Sequence, residues 1–492
     1  MKKMAILLVF AGFVAISCGP DSDSNSAQYG KVPVRLIFPW SSENKTADDV
    51  QSNVRYAGDT NCPPCDTIDF VFNGDGMAAT TYNNIDYSLH SYTCKGVPAG
   101  DNRTLTVNVK DSSDNVLYTG SATGIKVPAG GTADTVSVTL NPVDVADWYV
   151  NDNATGAGTG LSWNDAFTKI QDAVNAASNG DVIWVAEGIY KVSGTGAVLI
   201  MKDGVKLYGG FVGNETIFYQ RGNPSDHLTI LDGQNQSVHV VIGASYSRLD
   251  GFKIMRGKVV GGSATGESKG AGMYNVGTTN LIVANCIFTD NGSLIRNSCV
   301  FPSGCDTAKS GGAGIYNEGQ IEIKNCLFYN NSVTCWAYAC GIPAQTCSCY
   351  GYGGAIFSGS GSAMSIINCT FAGNSSQGSG GALYTLGTSN ITVKNCVFWG
   401  NTPNQIGGSS TLTVTYSDVS GGWTGTGNKN ANSLFVAGSN GNYYLSQPPA
   451  QASTSPCVDA GDDTAAALGL DTKTTRTDGV PDSGTVDMGF HY

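Results

Sequence analysis

The chain is short of charge. Lys, Arg, Asp and Glu together make up 13% of its 492 residues, and there are four histidines. That scarcity excludes a solvated helical bundle and a charge-driven disordered chain, both of which need charged residues in bulk. Basic residues are the scarcer sign, 27 against 39 acidic, which gives a net charge of −12. A nucleic acid requires a basic stripe, and none is present, so that partner is excluded. Acidic polymers are repelled in the same way unless a metal ion bridges them. Beyond the first twenty residues, no apolar run approaches the length that crosses a bilayer. What the chain has instead is glycine, 65 residues of it. Glycine at that density, between short apolar alternations, describes a turn-rich β protein.

Residues 1–18 are a leader. "MKKMAILLVFAGFVAISC" places Lys2 and Lys3 before an apolar run, with small residues ahead of Cys18, the layout of an export signal. Ala15-Ile16-Ser17-Cys18 resembles a bacterial lipobox. The resemblance implies cleavage before Cys18, lipidation of that cysteine and a membrane anchor of acyl chains rather than a spanning helix. Residues 19–30, "GPDSDSNSAQYG", follow as a flexible tether. Gly19 stands where lipoproteins retained at an inner membrane carry aspartate, so the expected location is the outer membrane and the bacterial cell surface. Fifteen cysteines suit that oxidising setting.

Residues 31–145 form one block. "KVPVRLIF", "TIDFVF", "RTLTVNVK" and "DTVSVTL" alternate as strands do, separated by Gly-, Pro- and Asn-rich turns. The expectation is an antiparallel β-sandwich, resembling the Ig-like or transthyretin-like stalk modules of bacterial surface lipoproteins. Cys62 and Cys65 of "CPPC" are disulfide candidates. With Cys94 they lack the fourth ligand that zinc requires.

A second domain spans residues 146–445. Phe167, Ile170, Val174 and Ala177 fall on one helical face. Ser162 is placed as the N-cap, and Asn179-Gly180 ends the helix. A short capping helix before a first strand resembles the start of pectate-lyase-like β-helices. Further on, Asn-Cys-x-Phe-x-x-Asn occurs four times, beginning at Asn285, Asn325, Asn368 and Asn395 and ending at Asn291, Asn331, Asn374 and Asn401. Glycine-rich starts precede the copies: "GAGMYN", "GAGIYN", "GGAIFS" and "GGALYT".

One copy cannot bury its apolar face alone, so copies must stack. The cysteine and phenylalanine point to the same side of a strand and, stacked about 4.8 Å apart, make internal ladders. The closing asparagine falls where the strand ends. It tolerates a left-handed turn, and its side chain can ladder too. The cysteines are expected to be small buried hydrophobes. The fold expected is a right-handed parallel β-helix. Its repeat resembles that of chlamydial polymorphic outer-membrane proteins, with "KLYGGFVGNET" and "RLDGFKIMRG" as early coils. Residues 446–492 form a C-terminal cap or tail, and its "SPCVDAGDD" resembles the usual ending of that group. No membrane barrel is recognisable, so lipid is the expected anchor.

Equivalent positions 252, 286, 326, 369, 396 and 417 are separated by 34, 40, 43, 27 and 21 residues. The longer steps contain insertions at one point of the coil, residues 258–269, 292–310 and 332–350. Insertions there emerge side by side on one flank, the usual binding face of a repeat protein. They carry disulfide candidates Cys299, Cys305, Cys335, Cys340, Cys347 and Cys349, with Cys299–Cys305 the favoured bridge. Phe301, Trp336, Tyr338, Tyr350 and Tyr352 lie in or beside them as candidate binding rings.

Catalytic carboxylates are sparse through the repeats. The best cluster is Asp250, Lys253 and Arg256, which alternates with apolar residues as a solvent face would. In the tail Asp459, Asp462, Asp478 and Asp487 are calcium candidates, though a solvated loop is the safer reading. No other cofactor is implied. Three readings stand. The first is a lipid-anchored surface protein whose stiffened loops bind a polysaccharide or an extracellular protein. The second is a polysaccharide lyase or hydrolase, and the third a structural component of an extracellular assembly.

Overall fold

The structure is a computed structural model. It describes residues 16–18, 29–37, 67–74, 79–86, 92–110, 116–142, 146–216, 218–262, 268–297, 308–337, 349–408 and 411–492. The chain divides into two compact units, with the main break between Val145 and Ala146. In the first, one sheet orders Ile16–Cys18, Tyr92–Pro98, Tyr29–Ile37 and Val136–Thr139. The other orders Thr80–Asp86, Thr67–Asn73, Gly100–Lys110, Val116–Val127 and Asn141–Pro142. Strict alternation turns Leu105, Val107 and Val109 inward, onto Ile68, Phe70 and Phe72. The unit is thus a β-sandwich. Ile16–Cys18 pairs parallel with Tyr92–Cys94. Cys62 and Cys65 lie outside the described residues.

The second unit is a parallel β-helix. Three faces run along it, of nine, eight and seven strands. Each coil supplies one strand to each face, for example Gln320–Lys324, Leu327–Tyr329 and Ile356–Ser358. Crossovers between parallel strands take the right hand because twisted strands pack back only that way. Phe288, Phe328, Phe371 and Phe398 stack inside, with centroids 4.9, 4.8 and 4.6 Å apart. Ile254 extends that column at one end and Val419 at the other.

The cysteine column does more than fill space. Cys286, Cys326, Cys369 and Cys396 are buried free thiols. Yet each amide donates to the sulfur one coil on, at 3.4, 3.3 and 3.4 Å. At the last rung the amide of Cys396 donates to Ser417 Oγ at 3.0 Å. Each thiol also donates within its own turn, as Cys286 does to the Ala284 carbonyl at 3.1 Å. The position selects a small acceptor that can also donate, and apolarity alone would not meet that need. Burial, then the neighbouring thiols, push Cys326 and Cys396 up, so they stay protonated. Cys326→Ser is expected to change stability by less than about 1 kcal/mol. Cys326→Val, which strands the Cys286 amide, should cost about 1–3 kcal/mol. Urea melts of the two variants test the difference.

The asparagines divide the work differently from expectation. The left-handed residues are those before the cysteines, Asn285, Asn325, Asn368 and Asn395, with φ of 51, 45, 50 and 55°. A second left-handed position, Asp290, Asn330, Gly373 and Gly400, precedes the closing asparagines. The closing asparagines turn inward instead. Asn291 donates to Asn331, Asn331 to Asn374 and Asn374 to Asn401, at 3.0, 2.9 and 2.9 Å.

The helix is shorter than its pattern, Ile170–Ala176, with Lys169 at the N-cap and no side-chain cap bond. The Ser162 hydroxyl instead accepts the Asp165 amide at 3.1 Å, closing a separate turn. Ile170, Ala173 and Val174 close the first coil. The tail is not a solvated loop. Tyr444, Phe490 and Tyr492 bury Ile287 and Leu327 on the outside of the second face. Outer asparagines hold it there: the Asn325 side chain donates to the His491 carbonyl at 2.9 Å and accepts the His491 amide at 2.7 Å.

Candidate functional site

The three insertions begin and end as strands. Their outgoing halves, Lys258–Gly262, Gly292–Asn297 and Ser332–Ala337, stack with Ser375–Ser376 into a four-stranded sheet. Their returning halves, Ser268–Lys269, Ala308–Gly311 and Cys349–Tyr352, make a three-stranded one. Gly351 lies so close to Val333 that a Cβ there would come within 2.6 Å of it, so the two sheets pack as a thin fin. Left-handed glycines at 270, 312, 353 and 380, with φ of 60, 59, 63 and 66°, turn the chain from the fin into the third face.

That turn makes a corner lined with rings. The second residue of each third-face strand points outward: Tyr274, Tyr316, Phe357 and Tyr384. These rings stack in sequence at 5.8, 5.1 and 5.6 Å, with His239 on Tyr274 at 4.8 Å. Tyr352 stacks on Tyr384 at 4.3 Å, and Tyr350 follows at 6.0 Å. Although they lie outside the coil, Tyr316 and Phe357 are buried, because the fin folds over them. A Cβ on Gly311 would strike the Phe357 ring at 2.6 Å. Lys269 sits over Tyr316, 4.6 Å from its centroid. Glu318 accepts the Tyr316 hydroxyl. Tyr384 and Tyr352 are half-buried, and Tyr350 is exposed. Burial, then the hydroxyls of Tyr384 and Tyr350, raise the pKa of Tyr352, so it remains a neutral donor. Burial likewise lowers His239.

Of the rings picked from sequence, Tyr350 and Tyr352 belong to this corner. Trp336 contributes backbone to the fin strand Ser332–Ala337. Phe301 and Tyr338 lie outside the described residues, as do Cys299, Cys305, Cys340 and Cys347. Cys349 contributes backbone to the strand Cys349–Tyr352. Cys335 is buried and disulfide-bonded. Sequence reasoning missed Tyr274, Tyr316, Phe357 and Tyr384. Their signal was present as the recurrent ring in "MYN", "IYN", "IFS" and "LYT".

Asp250, Lys253 and Arg256 do not form a cluster. Asp250 is buried, not on a solvent face, and takes Arg221 at 2.8 Å, Arg248 at 2.6 Å and Asn285 at 3.0 Å. Burial pushes its carboxyl up, but Arg221 and Arg248 outweigh that and hold it below the usual range. Arg256 pairs with Asp232 instead. The tail adds Lys473, whose ammonium has no hydrogen-bond or ion-pair partner among the described residues. Burial, then Arg221, lower it to about 8. A lysine depressed in the fold destabilises it wherever the ammonium form must be kept. Stability should therefore rise as pH rises from about 8 towards the unfolded value. Lys473→Met should gain about 1–2 kcal/mol at pH 7 and lose that advantage above about pH 10. Melting temperatures across that range check it.

Comparison with known proteins bears on two stretches of the second unit. A family described as a protein of unknown function, DUF1565, matches residues 150–320. The Chlamydia polymorphic membrane protein repeat matches residues 368–386, which begin at the third Asn-Cys-x-Phe copy and run into the following third-face strand. The chain is a parallel β-helix protein with a match to that repeat at one of its coils. No curated protein matches it in sequence. Among solved structures, a family 28 exopolygalacturonase of Yersinia enterocolitica is 11% identical, over 67% of this chain and 78% of that one, with a TM-score of 0.16. At that score the likeness carries no argument.

The tail also gathers carboxylates of its own. Asp459, Asp482 and Asp487 place one oxygen each within 4.8 Å of one another and are the residues that could hold a hard cation. Asp482 was not among the calcium candidates, because only the fold brings it there. Burial, then Asp482, raise Asp487. Asp462 pairs instead with Lys394 at 2.7 Å, and Arg476 lowers Asp478 to about 2.

Proposed function

We propose that this β-helix is a cell-surface protein, held to a bacterial outer membrane by lipid on Cys18, that binds an extracellular polysaccharide or protein at the corner between fin and third face. The observation that carries the reading is the unbroken run of rings from His239 to Tyr350. It is roofed by the fin at its centre and open at Tyr384, Tyr352 and Tyr350. Rings stacked on one another use up their faces, so a ligand meets ring edges, tyrosine hydroxyls and the terminal faces. The charge at the corner is already committed, Lys269 to a ring and Glu318 to a hydroxyl. Such a surface recognises by shape and hydrogen bonding. Disulfides at the fin would stiffen it.

A lyase or hydrolase is the second reading, and Lys473 beside Arg221 is the observation that favours it. A glycan array probed with the wild-type chain, Tyr352→Ala and Trp336→Ala separates the two. Binding that falls at least tenfold in Tyr352→Ala, without turnover of the glycan, supports the corner as a binding site. Unchanged binding in both variants removes the aromatic corner from the argument, and release of shortened or unsaturated sugars makes the protein an enzyme. For the anchor, Cys18→Ser should abolish incorporation of radiolabelled palmitate in a bacterial host.

A further inference from the structure

Among the described residues, the fin has one open edge. Its four-stranded sheet begins at Lys258–Gly262, which has a strand neighbour on one side only, Gly292–Asn297. The coil below carries no insertion, since Asp232 and Val241 of successive faces are joined by residues 233–240 alone. The fin therefore overhangs that coil. Lys258 still donates to the Ser237 carbonyl at 2.9 Å. Past it, among the described residues, no backbone bond from Val259, Val260 or Gly262 reaches that coil. The Gly261 amide goes back into the fin, to Ser268 Oγ at 2.7 Å. The other end of the sheet is closed by Thr402, whose carbonyl accepts the Ser376 amide at 2.9 Å.

Open edges are normally blunted by proline, by charges along the strand or by a covering segment. This one reads Lys-Val-Val-Gly-Gly, with its single charge at the end nearest the body. Val260 is 48% exposed at its centre, and Val238, next to Ser237, is 38% exposed. Unpaired amides and carbonyls at strand spacing are met by another polypeptide backbone. Self-pairing fits the side chains. Antiparallel pairing centred on Val260 sets Val260 against Val260 and Val259 against Gly261, beyond Lys258, whose amide the Ser237 carbonyl holds. No like charges oppose each other, and the exposed Val260 of each copy is covered. A two-fold axis through Val260 closes the contact.

We infer that Lys258–Gly262 is a homotypic edge, through which two copies pair antiparallel about Val260. The contact is small, so the dimer is weak in solution. Each copy carries −12, so added salt tightens it. Sedimentation velocity on the leaderless full chain, from about 1 to several hundred micromolar, reads the result. A concentration-dependent dimer is expected, strengthened by salt. Val260→Pro and Val260→Lys should abolish it, the first by removing an edge amide, the second by setting like charges opposite. Their exposed position leaves the coil folded, which an unchanged melting temperature would verify. Val260→Cys should give a disulfide-linked dimer under mild oxidation, beyond any formed by the wild type. A chain that stays monomeric throughout, or a dimer that survives both Val260→Pro and Val260→Lys, would overturn the inference.

Discussion

Asp250→Ala should destabilise the β-helix by about 3–5 kcal/mol, the range for removing one member of a buried ion pair. The size follows from what stays behind. Arg221 is 7% exposed and takes Asp250 by side chain and by backbone, at 2.8 and 3.0 Å. Its guanidinium occupies the space over Gly251, where a Cβ would come within 1.9 Å of it, so it has no room to swing out. Alanine at 250 leaves this cation and Arg248 without their carboxylate and takes a partner from Asn285. Asp250→Asn keeps the shape but not the charge and should fall between. The pH dependence separates the charge from the packing. Because the folded carboxyl titrates below its unfolded value, its contribution is full above about pH 4 and is lost as pH falls further, through the folded value. Wild type should lose stability across that acid window, while Asp250→Ala should be flatter there. Urea unfolding at pH 7 and at pH 3 tests both points. Equal losses at the two pH values would mean that the charge contributes nothing.

The same residue shows where the sequence stops being legible. In "RLDGFKIM" the alternation appears continuous, and it assigns Asp250 to a solvent face. Gly251, at φ 79°, breaks it. Arg248–Asp250 belongs to the first face and Phe252–Met255 to the second, so the phase resets between them. Within one strand the pattern was sound. The Phe column, the inner asparagines and the position of the insertions follow from spacing, because stacked identical rungs must superimpose. The fin did not follow. Its strands are short and rich in Gly and Ser, and they are held by neighbours one coil away rather than by their own propensity. The ring corner was half legible. Tyr350 and Tyr352 stood out because they sit in an insertion. Tyr274, Tyr316, Phe357 and Tyr384 were hidden in the repeat, where an aromatic at a strand start passes for core. The tail carboxylates were half legible too: Asp459 and Asp487 were singled out, but Asp482 meets them only through the fold of the tail.

Asn331→Ala should cost about 2–4 kcal/mol, the effect of stranding several buried polar groups at once. Asn331 is fully buried in the middle of the inner column. Its oxygen accepts the Asn291 side chain at 3.0 Å and the Asn291 amide at 3.3 Å. Its nitrogen donates to the Phe288 carbonyl and to Asn374, each at 2.9 Å. Alanine removes these bonds and the one Asn331 donates to the Tyr329 carbonyl at 3.2 Å. Asn331→Asp isolates the donor half. The carboxylate still accepts from Asn291 but faces the Phe288 carbonyl and Asn374 Oδ1 with lone pairs. At neutral pH it should be worse than alanine, because an unpaired charge is then buried. Below its raised pKa the protonated acid can donate again, so part of the loss should return on acidification. Asn331→Asp should therefore gain on wild type as pH falls from 7 to 5, and Asn331→Ala should not. Thermal melts at the two pH values decide it. Parallel behaviour of the two variants would mean that the column is held by volume, and the donors along it would then be incidental to the register of the coils.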